Sequence, residues 1–235
     1  MQEPAVVFLK PRKVAGTSFE IALSKFAAED SVITPISRED EITRRNLGYR
    51  GAQNYAFAYS ELESDSKRFR NALYDGKMPS KFYNHIPAKL AKERLGGWAW
   101  HKSLKISIIR NPFDQLVSLY FWQNKNAAEK PHFQNWIAQN PSFLRMNYEQ
   151  THIDGECIVD FFIRYEAFEA DIRALEHQLP RLSGLWDIFS NLSAKGGIRP
   201  KESAPASFFA GAPELVGSVK FFNSDIIERF GYELN

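Results

Sequence analysis

The chain has 235 residues, enough for one α/β domain or at most a domain with a lid. Its 30 basic and 28 acidic residues leave a formal charge of +2. That balance gives no ground for nucleic-acid binding through the overall field, so any basic chemistry is local. The single cysteine, Cys157, excludes an intrachain disulfide and a cysteine-based metal cluster; within CIVDFFI it reads as a buried, inert thiol. MQEP has no basic leader region, and no apolar run approaches the roughly 20 residues of a membrane span. The expectation is a soluble, cytoplasmic protein without a membrane span.

AVVFL (5–9) predicts a buried strand. The loop KPRKVAGT follows, and SFEIALSKFAAE predicts a helix whose N-terminus is capped by Thr17 or Ser18. Residues 31–58 are polar without a clear period and read as loops and short elements beside a cleft. SELESDSKRFRNALYDG (60–76) predicts a charged surface helix, KFYNHIP (81–87) a short strand, and AKLAKERLG (88–96) a helix stopped by glycine. LKISIIR (104–110) is the second clear buried strand. In the following helix Pro112 suits the first position, and Phe113, Leu116, Val117, Tyr120 and Phe121 make an apolar face. HFQNWIAQ predicts another short helix. CIVDFFIRYE (157–166) predicts a third strand and AFEADIRALEHQL its helix. NLSAKGGIRPKESAPAS (191–207) reads as a loop, and the tail ends in a helix stopped at Gly231.

Strands alternating with helices predict an α/β fold: a central parallel sheet flanked by helices on both faces. In such sheets ligands sit at the carboxyl ends of the strands. Lys10–Ser18, Asn84–His85 and Arg110 are expected to converge there.

The loop carries chemistry. Ala15, Gly16, Thr17 and Ser18 can present backbone N–H groups and two hydroxyls to an anion at a helix N-terminus. Lys13 adds a point charge, but it precedes the glycine, whereas the ATP loop GxxxxGK[ST] has its lysine after it. The plainer reading is a strand-to-helix turn with solvated basic residues; the strand before and the amphipathic helix after weigh against it. Arg110 ends a buried strand, and Ser118 follows eight residues on. A guanidinium fork and a hydroxyl make a second phosphate site. Two anion sites at two strand ends suit a nucleotide with two separated phosphates.

KxAGTS after one strand and RNPxxxxxS after another resemble the sulfotransferases that use 3′-phosphoadenosine-5′-phosphosulfate (PAPS). RYEAFEAD (164–171) resembles that family's YExLxxD segment, and SDIIERFGYEL (224–234) its closing segment. The resemblance thus runs from residue 5 to 234 and lies toward the carbohydrate branch, including uronyl 2-O-sulfotransferases. It implies a single sulfotransferase domain over residues 1–235, a P-loop-like three-layer sandwich, PAPS as cofactor, adenosine 3′,5′-bisphosphate as product, and no metal. It implies that Lys13 stabilises the leaving 5′-phosphate, that Ala15, Gly16, Thr17 and Ser18 hold that phosphate, and that Arg110 and Ser118 bind the 3′-phosphate. Arg12 stands where the family has proline and adds a charge for donor or acceptor; Val14 replaces a threonine and removes one hydroxyl.

Sulfuryl transfer needs a base for the acceptor hydroxyl, and histidine suits it. His85 in FYNHIP is the candidate and His101 in WAWHK the alternative; His132, His152 and His177 carry no assignment. The basic loop GGIRPKES offers Lys201, and less strongly Arg199, to the nucleotide. Lys10 is a candidate contact for an acidic acceptor. Trp98, Trp100, Tyr120 and Trp122 are candidates for stacking on sugar or adenine rings, although core packing is the ordinary job of aromatics. The expected acceptor is a hydroxyl on a glycan, a glycolipid precursor or a small metabolite, with residues 31–80 shaping its pocket. Two rival readings remain. A small-molecule P-loop kinase would need GK[ST]; an inactive nucleotide- or glycan-binding module would lack the base.

Overall fold

A computed structural model describes residues 4–62, 78–192, 199–200 and 203–235. Three parallel strands form the central sheet, β1 (Ala5–Leu9), β2 (Ser103–Ile109) and β5 (Phe161–Arg164), with β2 in the middle. The register pairs Leu9 with Ser107, and Ile109 with Arg164. Apolar residues appear on both sides of each strand because both faces are covered. On one face Val6, Phe8, Ile106, Ile108 and Ile163 pack with Phe19 and Ala22 of α1 (Gly16–Ser24), and with Ile172 and Leu175 of α9 (Phe168–Gln178). On the other face Leu9, Ile109 and Phe162 meet Ala88 and Ala91 of α4 (Ala88–Leu95), Trp100 of α5 (Gly97–Lys102) and Ile226 of α13 (Ser224–Phe230). The chain is therefore an α/β protein whose parallel sheet is flanked by helices.

A third apolar cluster lies beside the sheet. It is built on α6 (Pro112–Gln123), whose Phe113, Leu116, Val117, Tyr120 and Phe121 are all buried, as their spacing predicts. Against it pack α7 (Phe133–Gln139), α11 (Pro205–Phe209) and α12 (Pro213–Phe222). Pro112 opens α6, and the Asn111 side chain caps it by accepting from Phe113 N at 3.1 Å.

Several expectations need correction. KFYNHIP is not a strand. The N–H groups of Lys81 and Phe82 both donate to the Tyr55 carbonyl, at 2.7 and 2.8 Å, and Ile86 N reaches back to Tyr83 O at 3.2 Å, so the segment turns. His85 in that turn has φ 60°, in the left-handed region. The expected strand 157–166 is two pieces: Glu156–Cys157 (β4) belongs to a small hairpin with His152–Ile153 (β3), and only Phe161–Arg164 (β5) joins the sheet. Cys157 is consequently exposed, not a buried thiol. The first helix starts at Gly16 and stops at Ser24, so Thr17 and Ser18 lie inside its first turn and neither caps it; Ala15 is the cap residue. Residues 31–58 contain a helix, α2 (Arg38–Asn46), capped by Ser37. Most of the expected helix 60–76 lies outside the described residues; its start, Tyr59–Leu62, is helical.

The segments RYEAFEAD and FGYEL turn out to be stitches. Asp171 on α9 accepts from the backbone N of Arg164 at 2.8 Å and from both Nε (2.8 Å) and Nη2 (2.6 Å) of its guanidinium, locking the end of β5 to the helix that follows. Burial pushes the Asp171 carboxyl up, but these hydrogen bonds outweigh it and hold the group below the usual carboxylate range. Glu166 accepts from Asn111 N at 2.8 Å with one oxygen and from the Tyr232 hydroxyl at 2.9 Å with the other. It thereby ties the end of β2 to the C-terminal segment. Replacing Asp171 by Asn removes the charge and one acceptor. Because the Arg164 side chain is itself 46% exposed, the expected loss is toward the low end for such pairs, about 2 kcal/mol, read as a lower urea midpoint. The contribution of Asp171 is present above the pKa of the unfolded carboxyl and lost as pH falls through its lower native value, so the wild-type and variant curves should converge in acid.

Candidate functional site

The carboxyl ends of β1 and β2 carry the candidate residues side by side. After β1 the chain passes through Lys10, buried Pro11 and exposed Arg12 into two left-handed residues, Lys13 (φ 63°) and Ala15 (φ 58°), separated by fully buried Val14. Left-handed geometry costs an L-residue about 1–2 kcal/mol, so the surroundings must enforce it. They do so through the carbonyls. Arg12 O accepts from Gln115 Nε2 at 2.8 Å and from Asn147 Nδ2 at 3.0 Å, while Asn147 Oδ1 accepts from Arg12 N at 2.7 Å. Lys13 O accepts from Arg110 Nη1 at 2.9 Å. With the carbonyls drawn outward, the N–H groups of residues 14–18 meet no protein acceptor among the described residues. Alternating backbone hands gather successive N–H groups into a concave nest at the start of α1, a shape suited to an anion.

Two details differ from what the motif suggests. Gly16 is not the left-handed residue. It lacks a Cβ because one would lie 3.0 Å from Lys10 Cγ and 3.3 Å from Lys10 Cε. Val14, in the place of the threonine, packs in the core with Phe19 and Ile106, so its side chain has a structural use. Ala15→Gly relieves one left-handed strain while adding backbone freedom to the unfolded chain. The expected net gain is about 0.5–1 kcal/mol, seen as a rise of about 1–3 °C in Tm by scanning calorimetry.

Lys13 Nζ stands over the Trp122 ring, 4.2 Å from its centroid, and Lys125 Nζ lies at the same distance. Of the aromatics singled out by sequence, Trp122 is thus the one beside the loop. Trp100 and Tyr120 are core residues, and Trp98 is exposed on α5.

Arg110 is buried. Besides Lys13 O it donates through Nε to Asp114 Oδ2 at 2.6 Å, and its guanidinium lies 4.0 Å from the Tyr165 ring centroid. Asp114 is shared: its other oxygen accepts from Arg199 Nη1, and Arg199 also bonds Ser203 through Nε at 2.8 Å. Two guanidinium groups therefore converge on one carboxylate beside the nest. Ser118, half-buried, lies one turn past Asp114 on α6, at the i, i+4 spacing of one helix face. Lys201 lies outside the described residues.

His85 approaches from the turn after residue 80. Its Nδ1 is 3.0 Å from Lys10 O. A carbonyl only accepts, so Nδ1 carries the hydrogen and Nε2 keeps its lone pair. Gln150 Nε2 holds the His85 carbonyl at 3.1 Å. Burial pulls the imidazole pKa down to about 4, with the Lys10 and Arg12 cations adding to the effect. His101 is ruled out of this site by topology: it precedes β2, at the amino end of the sheet. It stands a full strand, about 20 Å, from Arg110.

Lys10, expected to face an acidic acceptor, is 7% exposed and paired with Glu20 at 2.6 Å. A cavity of about 40 Å³ lies behind the loop; polar Arg110, Gln115, Asn147 and His152 share its walls with apolar Ile108, Leu116 and Phe222, and it is large enough for ordered water. Asn147, Gln115, Gln150 and Asp114 were not singled out by sequence. Their only signals are amides and a carboxylate with no period; Gln115 and Asn147 reach the loop across more than a hundred residues, Gln150 reaches His85 across 65, and Asp114 serves Arg110 four residues away.

Among the described residues no three His, Cys, Asp or Glu side chains gather as a metal site, and no helix is long and apolar enough to cross a membrane. The chain matches no family model, no curated protein and no solved structure.

Proposed function

We propose that this chain is a PAPS-dependent sulfotransferase, built as a P-loop-like three-layer sandwich, that transfers a sulfuryl group to a hydroxyl acceptor, most naturally on a carbohydrate. One observation carries the reading. A nest of N–H groups and a buried arginine sit at the ends of adjacent parallel strands, linked by the bond from Arg110 to the Lys13 carbonyl, with an imidazole whose Nε2 is unprotonated on the same edge. Two separated anion sites plus a base suit a nucleotide phosphorylated at both 3′ and 5′ positions. The donor set fits: first-turn N–H groups with Thr17 and Ser18 for the 5′-phosphate, and Arg110, Ser118 and Arg199 for the 3′-phosphate.

Bound PAPS supplies the sulfuryl group and, in leaving, a 5′-phosphate. The chain's own part is threefold. His85 Nε2 takes the proton of the attacking hydroxyl. Lys13, with its ammonium on a flexible stem, moves from the Trp122 ring to the oxygen on which charge grows. The nest and Arg110 hold the nucleotide so that acceptor oxygen, sulfur and leaving oxygen align. Arg12 is exposed at the mouth of the loop and adds a positive charge there.

Calorimetric titration of the full chain with adenosine 3′,5′-bisphosphate, AMP and ATP tests this. The bisphosphate should bind more tightly than AMP by at least tenfold, without Mg²⁺. Equal affinities would sink the reading, and tighter Mg²⁺-dependent ATP binding would replace it with the kinase.

A further inference from the structure

Two of the bonds that Lys10 makes point in different directions. Its carbonyl accepts from His85 Nδ1, and its ammonium, buried, lies 2.6 Å from Glu20 Oε2. Glu20 is in turn held from the neighbouring segment: Oε1 accepts from Thr34 Oγ1 at 2.9 Å and from Arg44 Nη2 at 3.3 Å. Arg44, fully buried in α2, also bonds Glu41 at 3.0 Å. The Lys10 stem threads past Gly16 so closely that a Cβ there would lie 3.0 Å from Lys10 Cγ. A lysine serving only to greet an acceptor would be exposed. This one is fastened at both ends of the residue, and one fastening is the candidate base.

We propose that Lys10 and Glu20 are positioning residues for His85: Glu20 pins the Lys10 side chain, and the pinned residue presents its carbonyl so that the imidazole keeps Nδ1 protonated and offers Nε2 to the acceptor's proton. This rests on the sulfotransferase reading with His85 as base. It extends the site inward, to a chain of charges running from the base through buried Lys10 and half-buried Glu20 to buried Arg44 and half-buried Glu41. The charged groups that act on the ring are Lys10 and Arg12, which oppose its protonation, and Glu20, which favours it. Lys10→Met keeps the stem and the backbone carbonyl but removes the cation, leaving Glu20 with Thr34 and Arg44.

The test is ¹⁵N and ¹³C NMR of histidine in the full-length wild type, Lys10→Met and Glu20→Gln, with His85 assigned from the signal lost in His85→Asn. Each variant is first shown to bind adenosine 3′,5′-bisphosphate as the wild type does. The wild type should show the Nδ1–H tautomer. Lys10→Met, which also loses the pin to Glu20, should move the His85 titration upward, carry the acid limb of kcat/KM with it, let the Nε2–H tautomer appear, and leave the acceptor KM unchanged. Glu20→Gln should let the Nε2–H tautomer appear, because the Lys10 carbonyl is no longer held. The proposal is overturned if both variants bind the nucleotide while tautomer and titration stay as in the wild type. It is equally overturned if Lys10→Met raises the acceptor KM several-fold with the ring unchanged, the mark of a substrate contact. Failure of the underlying reading shows separately: His85→Asn would then turn over as fast as the wild type.

Discussion

His85→Asn is expected to lower sulfuryl transfer by about 10²–10⁴-fold while leaving the affinity for adenosine 3′,5′-bisphosphate unchanged. Asparagine is the informative replacement for two reasons. It tolerates the left-handed backbone that residue 85 adopts, and its Nδ2 can keep the hydrogen bond that His85 Nδ1 makes to the Lys10 carbonyl. What it lacks is the Nε2 lone pair. The measurement is single-turnover transfer from labelled PAPS beside calorimetry with the bisphosphate; a parallel loss of both would assign His85 to nucleotide binding instead. The pH dependence has a definite sign. With a native pKa of about 4 against 6.5 unfolded, the unfolded chain binds the proton first as pH falls. Native stability therefore drops between about pH 6.5 and 4, by roughly 2–3 kcal/mol, and His85→Asn should abolish that part of the slope. The acid limb of kcat/KM, which reports the free protein, should lie near pH 4. That of kcat should lie higher, because the phosphates of a bound nucleotide favour the imidazolium.

Arg110→Met should cost affinity selectively. The arginine is buried and serves the Lys13 carbonyl, Asp114 and the Tyr165 face at once. Methionine fills much of the volume without the charge. Loss of a charge-assisted fork to the 3′-phosphate is worth about 1.5–3 kcal/mol, or roughly 10–150-fold weaker binding of adenosine 3′,5′-bisphosphate. AMP, which has no 3′-phosphate, should weaken far less, so the preference between the two collapses. Stability should fall by about 2 kcal/mol. That is below the usual figure for breaking a buried pair, because Asp114 retains Arg199. Equal weakening for both nucleotides would remove Arg110 from the 3′-phosphate site.

The sheet and the helices that cover it were legible because their signals are local. AVVFL is apolar throughout, the pattern of a strand buried on both faces, while SLKISII sends Leu104, Ile106 and Ile108 to one face and Ile109 to the other. The α6 face repeats at helical spacing behind a proline. The left-handed turn at His85 was not legible. FYN has strand-forming residues, but the Tyr55 carbonyl captures two successive N–H groups and bends the segment away from the sheet, a decision taken some 26 residues upstream. Within the loop, the side chains KxAGTS mark an anion site, but the force that shapes it comes from Gln115 and Asn147, 103 and 135 residues from Arg12. An amide acting over that separation leaves no mark in the loop's own spelling. Lys10 shows the converse. Its place in the sequence suggested an outward contact, and only its depth, beneath Gly16 and against Glu20, reveals a buried charge.

The carboxylate of Asp114 sits where two arginines meet. On the proposed reading it is a built-in counter-ion, and nucleotide binding becomes an exchange of one anion for another. A tethered competitor of this kind sets a floor on the dissociation constant that bulk salt shifts little, since the internal anion is always at hand. It also spares the arginines from lying buried without a partner between turnovers, and it gives the spent nucleotide a rival for its place. Product release would then be helped from within the protein, by the same carboxylate that keeps the site assembled.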